Sequence, residues 1–281
     1  MALASARTVL GRDDDEPSLR GALHARGLAS QVLAWDDPGA DWAAFDLVVV
    51  RSTWDYTERP EAFVAWARSV PRLANPAPVL AWNADKHYLA DLASAGVPVV
   101  DTWWFEPGRP PGPLPEGDVV VKPTVGAGAV DARRFGPDAH HEARAHLKGL
   151  LAAGRGAMAQ PYVASVDQQG ETALIYLEGR FSHAIAKPAI LGERRRDPTS
   201  LEDMGIEPAT TTAAQRAVAE AALAAVPADA PPLLYARVDL VAGPDGPLVL
   251  ELEATEPFLF LGFAEGAAER LADAIAGRLG A

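Results

Sequence analysis

The sequence predicts an α/β domain at the N-terminus, followed by an α+β region in two halves. Three observations carry that reading. Over residues 1–80, short apolar runs alternate with helical patterns, the order of a parallel α/β unit. Past residue 158 the runs come in pairs joined by glycine-containing turns, which marks hairpins. At 281 residues the chain has room for about two domains of ordinary size, each able to bury a core without disulfide or metal staples.

In chain order, Thr8–Leu10 reads as the first strand, Ser18–Arg26 as a helix, and Gln31–Trp35 as the second strand. Leu47–Val50 is a continuous apolar run of the kind buried on both faces of a parallel sheet. A helix follows over Arg59–Ser69, and Pro71, Pro76 and Pro78 punctuate a linker. The helix from Asp85 to Ser94 stops before Gly96 and Pro98. Glycine accepts the left-handed turn at a helix end and proline cannot continue the ladder.

Pro107 to Pro115 is a surface loop, Val119–Val121 a short strand, Thr124 to Val130 a glycine-rich turn and Ala143–Leu151 a helix. Thr172–Leu177 and Phe181–Ala186 form a hairpin around Glu178-Gly179, and Ala213–Ala225 is an alanine-rich helix. A last hairpin joins Leu234–Val241 to Leu248–Ala254 through Gly243–Pro247. Three units follow: 1–80, 81–158 and 159–281.

Composition narrows the chemistry. With no cysteine, thiol catalysis, disulfide scaffolds, zinc–thiolate sites and iron–sulfur clusters are excluded. A net charge of −13 argues against nucleic acid or anionic membrane as partner. No apolar run approaches the roughly 18 residues of a membrane span, and Met1–Asp15 lacks a signal-peptide core. The cytoplasm is therefore expected. Residues 159–281 hold 9 basic and 18 acidic side chains, so −9 of the −13 lies in the last unit. Only four lysines stand against 21 arginines.

That imbalance singles out the lysines, because a compact ammonium suits a tight site where a planar guanidinium does not fit. Lys122 ends a buried-looking strand just before Pro123 and the Gly126/Gly128 turn; Lys86 opens a helix and Lys187 closes a hairpin strand. A lysine beside a glycine-rich turn can cradle phosphate, though a surface lysine fits the same pattern and the spacing is not that of a P-loop. Glu251 and Glu253 share one strand face. A five-residue loop at 243–247 places residue 241 opposite 249, Asp239 opposite Glu251 and Arg237 opposite Glu253. Facing carboxylates repel unless a cation lies between them, and oxygen ligands suit magnesium or manganese. The alternative is a solvated face with an Arg237–Glu253 surface pair.

Taken together, several features resemble the ATP-grasp ligases of the glutathione-synthetase-like branch. They are Lys86, Val120-Val121-Lys122-Pro123 with its glycine turn, Met158–Val163, the Glu171 hairpin, Arg237-Val238-Asp239 and Glu251-Leu252-Glu253. The match runs from about residue 80 to the end. Arg51-Ser52-Thr53-Trp54-Asp55-Tyr56 and Glu253-Ala254-Thr255-Glu256-Pro257 are most similar to the subgroup containing O-ureidoserine cyclo-ligase of cycloserine biosynthesis.

The resemblance implies an ATP-grasp fold preceded by a Rossmann-like (pre-ATP-grasp) domain, with ATP and magnesium as cofactors. Lys86 and Lys122 would approach the phosphates and the adenine edge, with Gly126–Gly128 as a lid. The backbone of Gln160-Pro161-Tyr162-Val163 would read adenine. Glu171 would hold the ribose, with Asp167 as competing candidate. Asp239, Glu251 and Glu253 would hold magnesium, and Arg237 and Lys187 would neutralise the transferring phosphoryl group. Glu253 stands where many relatives carry asparagine, and Lys187 replaces the more usual arginine.

From the residues themselves, Arg51, Ser52, Thr53, Trp54 and Asp55 follow an apolar strand, where open α/β sheets bind ligands, and are the substrate-side candidates. Gly192–Gly205, with Arg194-Arg195-Arg196, reads as a mobile loop over the substrate or a solvated charge run. The expected activity is carboxylate–amine ligation through an acyl phosphate, acting on a small amino-acid-like carboxylate and an amine, within one molecule or between two. A homodimer is compatible with it. Two readings compete: an amide ligase of another specialised pathway, and a non-catalytic nucleotide-binding module.

Overall fold

The computed structural model describes residues 1–191, 205–227 and 232–280. The first part of the chain contains β1 (Ala2–Ser5), α1 (Glu16–Ala25), β2 (Gln31–Ala34), β3 (Val48–Val50), α2 (Pro60–Ser69), β4 (Leu73–Ala74), α3 (Ala77–Asn83) and α4 (Tyr88–Ser94). The strands form a parallel sheet in the order β2-β1-β3-β4. Val48, Val49 and Val50 are fully buried because the sheet is covered on both faces. One face carries Trp35, Tyr56, Phe63 and Trp66, linked by aromatic contacts. Leu19 and Leu23 of α1 cover the other.

Three expectations are corrected here. The first strand is Ala2–Ser5, and Arg7–Val9 is a 3₁₀ turn beyond it, leaving Leu10 exposed. The short side chains of Ala2 and Ala4 carry weak β propensity alone, and the central place between β2 and β3 makes them a strand. The prolines at 76 and 78 start α3 instead of forming a linker, since the first helical turn needs no N–H donors. The helix expected from Asp85 begins at Tyr88, because the Tyr88, Leu89 and Ala90 N–H groups close three-residue turns on the Asp85, Lys86 and His87 carbonyls before the helix sets in.

The middle of the chain adds β5 (Trp103–Phe105), β6 (Val119–Pro123), β7 (Arg133–Phe135), α5 (His140–Ala152) and β8 (Ala157–Pro161). These strands form an antiparallel sheet in the order β5-β8-β6-β7, with β8 running across residue 158. Ala143, Leu147 and Leu150 recur at helical spacing and pack on Val119 and Val121.

The remainder comprises α6 (Val166–Gln169), β9 (Glu171–Leu177), β10 (Arg180–Lys187), β11 (Glu207–Pro208), α7 (Ala213–Ala224), β12 (Tyr235–Gly243), β13 (Gly246–Glu253) and α8 (Ala267–Leu279). The sheet order is β11-β10-β9-β12-β13, antiparallel throughout. Leu174 and Tyr176 share a core cluster with Ala219 and Ala222 of α7. Ala173, Ile175 and Leu177 share another with Leu271 and Ile275 of α8. Helices on both faces explain why β9 is apolar along most of its length. The α8 cluster also contains Leu3, Leu19 and Leu23, so the last helix ties this sheet to the first one.

The last hairpin is tighter than expected. Gly243 pairs with Gly246 across a two-residue turn, so Val241 faces Leu248 and not residue 249. A bulge at Leu250 then restores the expected register, with Asp239 opposite Glu251 and Arg237 opposite Glu253. Among the described residues no helix is long and apolar enough to cross a membrane.

Candidate active site

Strand register puts Glu171, Lys187, Arg237, Asp239, Glu251 and Glu253 on one face of the third sheet. The α8 side of that face is sealed around Ile175 and Leu177, which leaves the Glu171 end to the charged groups. Carboxylate oxygens of Asp239, Glu251 and Glu253 lie within 4.8 Å of one another. Four cations hold them there. Lys187 Nζ lies 2.6 Å from Asp239 and 2.8 Å from Glu171. Arg237 donates to both Asp239 oxygens, at 2.9 and 3.0 Å, and to Glu253. From the middle of the chain, Lys122 and Lys86 approach Glu251 Oε1 at 3.3 and 3.5 Å. The site therefore bridges β6 of the second sheet and β13 of the third.

Electrostatics follow from that packing. Burial works against ionisation of Asp239, but Arg237 and Lys187 outweigh it and hold the carboxyl below its ordinary range. Burial likewise opposes Glu251, and Lys86 and Lys122 overcome it, leaving this group well below the usual glutamate value. Glu253 goes the other way. Burial pushes it up, Arg237 only partly compensates, and its two acidic neighbours add to the rise, to about 7. Burial lowers Lys122, whereas for Lys187 the charges of Asp239 and Glu171 outweigh burial and raise it. Three converging carboxylates with an all-oxygen donor set fit a hard divalent cation such as magnesium.

The other sequence-selected residues divide. Lys86 Nζ donates to the Gly126 carbonyl at 2.7 Å, tying the glycine turn to the lysine pair. Gly128 in that turn has φ +60°, a conformation glycine takes without strain. Gln160 and Pro161 pair with Val120 and Val119, the Tyr162 N–H donates to the Asp118 carbonyl, and the Gln160 side chain donates to Thr102. Tyr162 and Val163 line a cleft of about 520 Å³ between this segment and the tip of the last hairpin. Asp167 is exposed and bound to Tyr162 Oη at 2.5 Å and to Arg134 at 3.2 Å.

At the N-terminal sheet, the side chains of Arg51, Ser52 and Asp55 are engaged by the fold. Arg51 is buried against Asp15 at 3.3 Å, with the Pro257 carbonyl at 3.4 Å, and Ser52 bonds Ser5 at 2.8 Å. Asp55 accepts from Trp35 at 2.7 Å and Arg59 at 3.3 Å. The Thr53 hydroxyl is buried without a partner among the described residues. Trp54 reaches the segment after β13, donating to the Glu256 carbonyl at 3.2 Å and stacking on Phe258. The arginine-rich stretch 192–204 lies outside the described residues.

Comparison with known proteins gives this geometry a setting. Residues 1–75 match the family described as the N-terminal domain of D-cycloserine synthetase DcsG. The chain is 41% identical to the cycloserine biosynthesis protein DcsG of Streptomyces lavendulae, across 99% of this chain and 98% of that protein. The chain belongs to the DcsG family of ATP-grasp ligases.

The crystal structure of D-cycloserine synthetase DcsG superposes on this DcsG-family chain with a TM-score of 0.90 at 40% identity, covering 99% of both. A D-alanine–D-alanine ligase from Bacillus anthracis in complex with ATP shares the fold alone, at TM-score 0.66 and 14% identity, covering 99% of this chain and 96% of that one. The protein is thus an ATP-dependent ligase, forming a C–N bond as ATP is converted to ADP and phosphate.

Three residues of this DcsG-family site escaped the sequence reading. Asn75 donates to the carbonyls of Tyr235 and Ala254, at 2.9 and 2.7 Å, and accepts from the Leu234 N–H at 2.7 Å. Asn83 donates to the Leu252 carbonyl at 2.7 Å and accepts from the N–H groups of Ala254 and Thr255, at 2.7 and 3.1 Å. Tyr88 accepts from the Leu252 N–H at 3.1 Å. These side chains fix the backbone on both sides of Glu253. The available signal was two amides set in apolar surroundings, which are retained only when their hydrogen bonds are met.

Proposed function

We propose that this protein is a cytoplasmic cyclo-ligase of cycloserine biosynthesis, activating the carboxylate of an O-ureidoserine-like amino acid as an acyl phosphate. A nitrogen of the same molecule attacks the acyl carbon, the new C–N bond forms, and phosphate leaves. The identity to the Streptomyces lavendulae protein over nearly the whole of both chains is the observation that carries this reading. The conjunction of three carboxylates with four cations supports it chemically, since phosphoryl transfer to a carboxylate needs charge neutralisation and positioning more than a protein nucleophile.

In this reading Asp239, Glu251 and Glu253 hold magnesium, with manganese as a substitute, and the metal supplies neutralisation of the nucleotide phosphates. Lys86 and Lys122 bind phosphate oxygens, covered by the Gly126–Gly128 turn. The backbone of Gln160–Val163 binds adenine; among the described residues the Val163 N–H has no backbone partner. Glu171 is favoured over Asp167 for the ribose, because it shares the sheet face of the carboxylates and Asp167 is committed to Arg134 and Tyr162. Arg237 and Lys187 stabilise charge on the transferring group, and Trp54 faces the substrate. The second and third sheets act as the two halves of the nucleotide clamp.

The test is release of ADP and phosphate from ATP and magnesium with O-ureidoserine. Stoichiometric release with a cyclised product is expected. ATP binding without ADP release on this substrate would overturn the reading.

A further inference from the structure

Glu256 is a buried residue whose carboxylate joins no cation among the described residues. It follows β13 three residues after Glu253 and is 8% exposed. Among the described residues no other side chain bonds its carboxylate and it joins no ion pair. The cations that could serve it are committed elsewhere: Lys86 and Lys122 to Glu251, Lys187 to Glu171 and Asp239, Arg237 to Asp239 and Glu253. Four cations thus face four carboxylates, and Glu256 is a fifth. Burial, and then the charge of Glu253, push its carboxyl up to about 8, with Lys86 and Arg237 offsetting only part of the rise.

Its surroundings are built. The Trp54 indole N–H fixes the Glu256 carbonyl at 3.2 Å. The Trp54 ring stacks on Phe258 with centroids 5.8 Å apart and planes 19° apart, which holds the backbone on both sides of Pro257. Tyr56 is buried near enough for the charge of Glu256 to raise its hydroxyl, after burial itself. A desolvated carboxylate short of a cation is an environment that selects an alkylammonium group. The ammonium supplies the positive charge that lets the carboxyl give up its proton and pair with it.

We propose that Glu256 anchors the free ammonium group of the amino-acid substrate, orienting its carboxylate toward the metal-ligand cluster. The inference rests on the ligase reading for its substrate class. Binding and turnover are therefore measured separately on the full chain. Binding of O-ureidoserine and of its des-amino counterpart, 3-(ureidooxy)propanoate, is followed calorimetrically with ADP and magnesium present. Turnover is followed by ADP release.

Wild type is expected to prefer the amino compound. Glu256→Gln should weaken that compound about tenfold or more while leaving the des-amino compound and nucleotide affinity unchanged, and Glu256→Asp should keep part of the preference. An unchanged preference in Glu256→Gln, equal affinity of wild type for both compounds, or failure to bind either would overturn the anchor. A loss of kcat with KM unchanged would also overturn it, pointing to proton transfer instead. A binding preference without ADP release would instead overturn the ligase reading and leave the anchor standing.

Discussion

Lys187 reaches over β9 to place its ammonium 2.6 Å from Asp239, a residue two strands away in the sheet. Its own ladder partner is Glu171, and it bonds that residue too, at 2.8 Å. One lysine therefore links the Glu171 and Asp239 carboxylates across three neighbouring strands.

That link makes Asp239→Asn informative. It should abolish magnesium-dependent ADP release and leave Lys187 and Arg237 facing a neutral amide. Breaking a buried ion pair in this way costs about 3–5 kcal/mol, so the melting temperature should fall, and magnesium with ADP should no longer raise it. A variant with normal magnesium dependence would remove Asp239 from the metal site.

Asn83→Ala leaves the Leu252 carbonyl and the Ala254 and Thr255 N–H groups without their side-chain partner next to Glu253. Each orphaned buried group costs about 1–3 kcal/mol, and outer-shell losses of this kind weaken metal affinity by about 10–100-fold. Titration of ADP release against magnesium checks this: the half-saturating concentration should rise more than the KM for ATP.

Gly170 has φ +67°, and a β-carbon there would lie 2.2 Å from the Lys187 carbonyl oxygen. Gly170→Ala must push β9 and β10 apart at the Glu171–Lys187 pair. A loss of at least about 1–3 kcal/mol is expected on overpacking and strain, read by denaturant unfolding, together with a raised KM for ATP.

Two buried groups give opposite pH slopes. Burial holds His183 below its ordinary 6.5 as a neutral ring that donates from Nε2 to the Leu259 carbonyl at 2.9 Å. Below about 6.5 the unfolded chain takes up a proton that the folded chain refuses, so stability falls as pH falls. Glu256, raised from 4.5 to about 8, keeps its proton when folded and loses it when unfolded, so between those values stability falls as pH rises. Melting curves should show Glu256→Gln flattening the alkaline side alone and His183→Asn flattening the acid side alone.

The last hairpin shows what the sequence made readable. Alternation along Arg237-Val238-Asp239 and Glu251-Leu252-Glu253 was enough to pair Asp239 with Glu251, because a period of two fixes which side chains share a face. The two-residue turn and the bulge that produce the same pairing were not visible, since both choices satisfy the count between residues 239 and 251. Asn75 and Asn83 stayed hidden for a different reason. Their partners are backbone groups about 160–180 positions away, and backbone leaves no side-chain signature. Arg51, Ser52 and Asp55 illustrate the converse, polar residues at a strand end whose side chains the fold itself engages.

The bulge at Leu250 also bears on how the hairpin can change over descent. One residue added at the tip and one removed at the bulge leave Asp239 opposite Glu251. A single uncompensated insertion or deletion turns both glutamates toward α7. Selection on this hairpin therefore acts on parity rather than on length: tips of different size are interchangeable, provided the ladder absorbs the odd residue.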